Sequence, residues 1–236
     1  MMDLNELFRE ESDVLTRSQE VAAQTSLEAA EYRDALLRVN RHYQRLMRET
    51  YRMISRSDRA ERELNRVNEQ LHQLAQELEY KASHDPLTAV WNRGAIIQRI
   101  TQTLSTGAAA LIILDIDHFK RINDEFGHPM GDRVICGLVS RIQAHCPADA
   151  SIGRIGGEEF TVLLPHYRLS DAVIVAGAIH ASLNASPLAV LPGQLVTASL
   201  GVSFGKPGSD FETLYNNADA ALYDAKNHGR NRVFFR

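Results

Sequence analysis

Apolar side chains recur at alternating intervals of three and four along the first third of the chain. With Phe8 counted as heptad position a, the a and d sites run from Leu4 to Leu78, and 17 of these 22 sites are apolar. No proline precedes Pro86 and no glycine precedes Gly94, so nothing here punctuates a helix. The pattern predicts a helical coiled-coil stalk over residues 1–80, serving dimerisation and regulation. From Ala60 to Leu78 the stripe keeps strictly to a and d, the narrow seam of a two-stranded coil. Nearer the N-terminus Leu7, Val14, Val21 and Ala35 add an apolar column at g. So broad a stripe needs a cover beyond a simple dimer: another helix, a fold-back of the chain, or a regulatory protein. It also leaves room for oligomers larger than a dimer. Thr50 and Ser57 are weak a positions around Met53, which marks "TYRMISRS" as the expected break, with an unbroken helix as the alternative.

After "SHDP" the period changes, and helices alternate with strands over residues 81–236. "NRGAIIQRITQTL", "GDRVICGLVSRIQAHC", "SDAVIVAGAIHASLNA" and "DFETLYNNADAALYDAKNHG" read as helices. "AALIILDID" reads as a buried strand, "SIGRIGGEEFTVLLP" as a hairpin with its glycines at the tip, "QLVTASLGVSFG" as a strand and "RVFFR" as a short last one. An α+β domain follows, and 44% hydrophobic residues suffice to give it a core. A formal charge of -4 offers no basic excess for a nucleic acid backbone, so none is expected as a partner. Two cysteines are too few for a disulfide framework. The apolar runs "AAALIIL" and "AVIVAGAI" are too short to span a bilayer, and "MMDLNELFREESD" lacks the order of a secretion signal, so a cytoplasmic protein is expected.

Two acidic sites stand out. "LIILDID" puts Asp115 and Asp117 at the end of a buried strand, where a carboxylate is costly unless a cation meets it. In "RIGGEEF" a Gly-Gly pair fits a two-residue turn that needs positive φ, but the turn leaves Glu158 and Glu159 unexplained. Were this hairpin to lie beside the "LIILDID" strand, Asp115, Glu158 and Glu159 would converge, and hard oxygen ligands of that kind suit Mg2+ or Mn2+. "DHFKRIND" turns from strand into helix and offers N–H groups and Lys120 for a phosphate; Lys226 and Arg230 in "AKNHGRN" share one side of the chain.

"RIGGEEF" resembles the signature of the GGDEF family, the diguanylate cyclases. "HDPLTAVWNR", "LDIDHFKRINDEFGHPMGD", "SLGVSF" and "NNADAALYDAKNHGRN" are similar to that family's other motifs, in the same order. The resemblance implies a nucleotide-cyclase-like α+β fold with a central, mostly antiparallel sheet flanked by helices. It makes Asp115, the Ile116 carbonyl, Glu158 and Glu159 a shell for Mg2+, two ions per site, with Asp115, Glu158 and Glu159 catalytic. Asn123 and Asp132 would read guanine, and Lys120, Lys226, Arg230 and the N–H groups around His118 and Phe119 would hold phosphates. The implied reaction joins two GTP molecules into cyclic di-GMP across a homodimer; a silent GTP or cyclic di-GMP binding module is the alternative. Two departures matter. Ala89 replaces the usual glycine of the first motif, where a local change of turn is expected. Pro147 and Ala150 stand where the family's inhibitory Arg-x-x-Asp falls, so no inhibitory product site is expected.

Overall fold

The computed structural model of the chain describes residues 8–24, 26 and 28–236; Leu4, Leu7 and Thr25 of the heptad pattern lie outside them. The chain divides into two compact units, Met1–Ala75 and Gln76–Arg236.

In the first unit, helix α1 (Arg9–Ala23) folds back along the start of helix α2 (Ala29–Ser83). Val14 and Val21 face Ala35 and Val39, and the flanks are tied by Glu10–Arg45 at 3.1 Å and Glu11–His42 at 3.7 Å. The fold-back thus covers Val14, Val21 and Ala35 of the g column. Between the helices Gln24 adopts extended backbone, and the Glu31 carboxylate accepts the Glu28 N–H at 3.0 Å to open α2. The break expected at "TYRMISRS" is not there: α2 runs unbroken through Thr50 and Ser57. Two polar a positions weaken a seam but leave every backbone hydrogen bond of the helix intact, and no glycine or proline interrupts it. The a and d column remains bare, with Leu64 60%, Leu71 59% and Leu78 67% exposed.

The second unit is built on a five-stranded sheet in the order β2-β3-β1-β4-β5. Strands β1 (Ala109–Ile116), β2 (Ser151–Arg154), β3 (Glu159–Pro165) and β4 (Ala198–Gly205) pair antiparallel, and β5 (Val233–Phe235) lies parallel to β4. The mostly antiparallel sheet matches the expectation. Side chains alternate across β1. Ala109, Leu111 and Ile113 face helices α3 (Arg93–Thr106) and α7 (Phe211–Asn227), while Ala110, Ile112 and Leu114 join a core with α4 (Phe119–Phe126), α5 (His128–His145) and α6 (Leu169–Ala185). Period two carries Asp115 onto the α7 face, and α7 lies close against the sheet because Gly201 has no side chain. A Cβ there would stand 2.1 Å from the Ala218 carbonyl oxygen.

At Ala89 the chain makes a tight turn. Ala89 takes the left-handed conformation itself, at φ 58, because Asp85 closes the turn from both sides. Its carbonyl accepts the Ala89 N–H at 2.9 Å, and its carboxylate accepts the Thr88 N–H at 2.9 Å and hydroxyl at 2.6 Å. Left-handed backbone costs a residue with a Cβ roughly 1–2 kcal/mol, only part of which glycine's extra unfolded freedom offsets. Ala89→Gly should therefore stabilise the protein by about 0.5–1 kcal/mol, read from denaturant midpoints at constant slope; an unchanged or lower midpoint would contradict the strain.

Candidate active site

The end of β1 gathers the acids. Asp115 pairs in register with Glu159 of β3 on one side and Ser199 of β4 on the other. Glu158 is the last residue of the connecting loop, and its carbonyl accepts the Ile116 N–H at 3.4 Å. The hairpin therefore does lie beside the strand, as the convergence required. Burial pushes the Asp115 carboxyl above its ordinary value, with Asp117 adding to the push and Lys226 and Arg230 opposing it. Burial and then Asp115 likewise raise Glu158 and Glu159; Glu159 and Asp219 add to the two respectively, and Lys226 opposes both. The groups share one field, yet among the described residues no three acidic, histidine or thiol side chains are arranged to close around an ion. The Lys226 ammonium instead sits 3.0 Å from Asp115, a cation supplied by α7. Mutual repulsion among oxygen donors, relieved by one ammonium, is the donor chemistry that a divalent ion fits.

The glycine turn differs from the expected two-residue form. Four residues, Ile155 to Glu158, connect β2 to β3, and neither Gly156 nor Gly157 lies in the left-handed region. The loop closes by other means: the Ile155 N–H donates to the Glu159 carbonyl at 3.0 Å, and the Arg154 guanidinium donates to the Gly157 carbonyl at 2.7 Å. Gly156 gives Glu159 room, since a Cβ there would crowd its Oε2 at 3.1 Å, whereas one on Gly157 would meet nothing within 4 Å. Arg154 also holds Asp85 at 3.1 Å, so one guanidinium fastens the acidic loop to the turn around Ala89. Burial works against the ionised Asp85, but Thr88 and Arg154 prevail and hold its carboxyl below the usual range. Sequence reading passed over Arg154 and Asp85; the signal was a charge flanking the glycine pair on a strand that otherwise reads as buried.

The other candidates fall into two groups. His118 is exposed and left-handed at φ 57, the corner that turns β1 into α4. Phe119 is buried beneath it, and Lys120 is exposed with no ion pair among the described residues. Asn123 leans over Gly131, where a Cβ would lie 1.9 Å from its Oδ1, and so lies beside Asp132 one residue on. Asp132 lines a cleft of about 560 Å³ whose apolar walls include Leu87, Cys136, Leu188 and Val190. None of the three clustered acids lines that cleft. On the far side Arg230 follows α7, exposed and unpaired with any carboxylate among the described residues, yet near enough to act on Asp115.

The sequence and the fold have counterparts in known proteins. The sequence matches the family described as "Diguanylate cyclase, GGDEF domain" over residues 82–232, and the chain belongs to that family. It is 38% identical over 178 residues to the diguanylate cyclase VdcA of Vibrio cholerae, covering 72% of this chain and 51% of that protein. The chain therefore spans about half of that relative's length. The structure is similar to that of the coiled coil and GGDEF domain of DgcB from Caulobacter crescentus in complex with c-di-GMP, with a TM-score of 0.68, 29% identity and coverage of 78% and 99% of the two chains. It is also similar to the diguanylate cyclase SiaD of Pseudomonas aeruginosa in complex with its activator SiaC, at TM-score 0.63 and 30% identity, covering 99% of this chain and 89% of SiaD. Among the described residues no helix is long and apolar enough to cross a membrane.

Proposed function

We propose that the chain is a diguanylate cyclase that condenses two GTP molecules into cyclic di-GMP and two pyrophosphates. The observation that carries this reading is Asp115 set in register with Glu159, with the Lys226 ammonium on it and Glu158 closing the loop above. Asp115, the Ile116 carbonyl, Glu158 and Glu159 would hold Mg2+ or Mn2+, two ions per site. Bound there, the metal supplies charge neutralisation at the phosphates and acidifies the attacking hydroxyl. Glu158, its carboxyl already raised by burial and by Asp115, takes the proton from the 3′-hydroxyl. That oxygen attacks the α-phosphorus of the second GTP as the bond to the β-phosphate breaks, and pyrophosphate leaves. Lys226 exchanges Asp115 for the leaving phosphates, with Arg230, Lys120 and the N–H groups around His118 and Phe119 completing their hold. Asp132 accepts the paired N–H donors that guanine alone presents, Asn123 bonds the remaining edge, and the apolar cleft takes the ring faces.

One chain holds one GTP, so the product's two-fold symmetry requires a second half-site from a partner protomer. The bare a and d column of α2 supplies the means of pairing. SiaD is described with an activator; a regulatory protein on the α1–α2 hairpin, where Leu36, Leu37 and Tyr43 are exposed, fits the same arrangement. Incubation of the full chain with GTP and Mg2+, with nucleotides separated afterwards, should yield cyclic di-GMP. A magnesium-loaded dimer that binds GTP and forms no product would establish the silent module instead.

Restraint by product should be missing. The groove beside Pro147 and Ala150, about 450 Å³, is lined by His84, Trp91, Gln143 and Cys146 among others and carries no lysine or arginine. Two phosphodiesters would meet no fixed cation there. Initial rates should be unchanged when cyclic di-GMP is added at roughly tens of micromolar, the range in which a charge-paired site would respond. Turnover that stalls at such levels, with saturable product binding lost on mutation of this groove, would contradict it.

A further inference from the structure

Asp117, the second acid of "LDID", has so far entered only as a charge that adds to the push on Asp115. It is 6% exposed, and its carboxylate is fully engaged. Oδ1 accepts the Ser199 hydroxyl at 2.7 Å; Oδ2 accepts the Thr197 hydroxyl at 2.8 Å and the Asn231 N–H at 3.0 Å. All three donors are neutral, and the one lysine at this strand end goes to Asp115. A buried carboxylate met only by neutral donors is a costly way to stabilise a fold, so its value lies in what it fixes.

What it fixes is the loop after α7. Gly229, Arg230 and Asn231 adopt three successive left-handed conformations, at φ 106, 61 and 46. Two of these residues carry a Cβ, so the loop does not hold this shape on local preference alone. Asn231 is gripped from every side. Asp117 takes its N–H, His180 Nε2 of α6 donates to its carbonyl at 2.9 Å, and its amide exchanges two hydrogen bonds with Asn184 at 2.8 and 2.9 Å. Arg230 is the residue just before this anchor, and its guanidinium has no carboxylate partner among the described residues. Its own backbone is held by its N–H on the Ala225 carbonyl at 3.0 Å and by Arg232 Nε donating to its carbonyl at 2.9 Å, and the turn that follows is fixed by Asn231.

We propose that Asp117 is a positioning residue for the phosphate end of the nucleotide: by holding the Asn231 N–H it fixes the left-handed loop that aims Arg230, and His180 holds the same loop from α6. The inference rests on the reading of Arg230 as a phosphate contact. Asp115 and Asp117, two residues apart, thus serve different ends of the same substrate, one at the metal and one through the loop.

The test compares binding of α,β-methylene GTP, which cannot release pyrophosphate, with binding of GMP, each with Mg2+, to the full chain. Asp117→Ala should weaken the triphosphate analogue about tenfold, as loss of a charge-assisted contact does, and leave GMP within about twofold. Asp117→Asn should recover most of the loss, because an amide oxygen can serve the two donors at Oδ2 while its NH2 faces the rotatable Ser199 hydroxyl. A residue that only stabilised the fold would shift both ligands together. If Asp117→Ala fails to fold, His180→Ala loosens the same loop without touching β1 and should show the same selective loss. Arg230→Ala sets the reference, and adding Asp117→Ala to it should cost no further selectivity. Arg230→Ala selective but Asp117→Ala and His180→Ala unselective would overturn this inference alone. Arg230→Ala with no selectivity would overturn the phosphate reading, and this inference with it.

Discussion

Replacing Glu158 and Glu159 together by alanine is expected to reduce cyclic di-GMP formation by roughly a thousandfold or more, since the proposed metal shell and the proposed proton acceptor would go together. It should leave the melting temperature of the magnesium-free protein at or above that of the parent. The second half separates chemistry from folding. Both carboxyls are raised, first by burial and then by Asp115. A carboxyl whose pKa rises on folding favours the fold only while protonated. Its contribution is present below the unfolded value and lost as pH rises through the folded one. Around neutral pH the two glutamates and Asp115 therefore oppose the fold unless a cation relieves them, and Lys226 relieves them only in part. Mg2+ should accordingly raise the melting temperature of the parent and do little for the double variant. A variant that melts well below the parent would contradict the electrostatic strain, and one that keeps a tenth of the activity would show that the acids are not the reaction centre.

The same electrostatics explains why this site was visible in the sequence and its supports were not. Asp115, Glu158 and Glu159 are acids that interrupt apolar runs, an expense that a reader of the chain notices. Their convergence hung on one condition, that the hairpin lie beside the strand, and the register of Asp115 with Glu159 meets it. Arg154, Asp117 and Asn231 act through partners 69, 82 and 114 positions away, at Asp85, Ser199 and Asp117 respectively. No periodicity encodes such pairs. The loop conformation was misread for a related reason. A Gly-Gly pair states that side chains are absent, and that can serve positive φ or room for a neighbour; here neither glycine takes positive φ, and only Gly156 lies close under a side chain, that of Glu159. At Ala89 the opposite happened: the motif's usual glycine is gone, yet Asp85 and Thr88 hold the turn in the conformation glycine would have favoured. In the stalk, heptad strength located the helices but not their break. Helix α1 ends at Ala23 and α2 starts at Ala29, and the contacts that favour this division, such as Glu10 with Arg45, exist only once the chain has folded back.

The seam that remains bare on α2 leads to the second large effect. Leu71→Asp with Leu78→Asp places two charges at a positions of the predicted coil, which would bring four carboxylates into one dimer seam. Burying unpaired charge there costs several kcal/mol per dimer, enough to leave the protein monomeric at micromolar concentration. Each half-site would remain whole, because both leucines lie on helix α2, outside the sheet and the acidic cluster, and both are more than half exposed in the single chain. The expected signature is therefore specific: α,β-methylene GTP binds each protomer as before, while the specific rate at about 1 μM protein falls roughly a hundredfold or more. A tether that supplies a millimolar effective concentration accounts for a factor of that order. The rate per protomer should then climb with protein concentration, where that of the parent is flat. Sedimentation measured alongside turnover decides the matter. A monomer with the parent's rate would remove the need for a second half-site, and a dimer with the lower rate would place the stalk's effect in control of approach rather than in pairing.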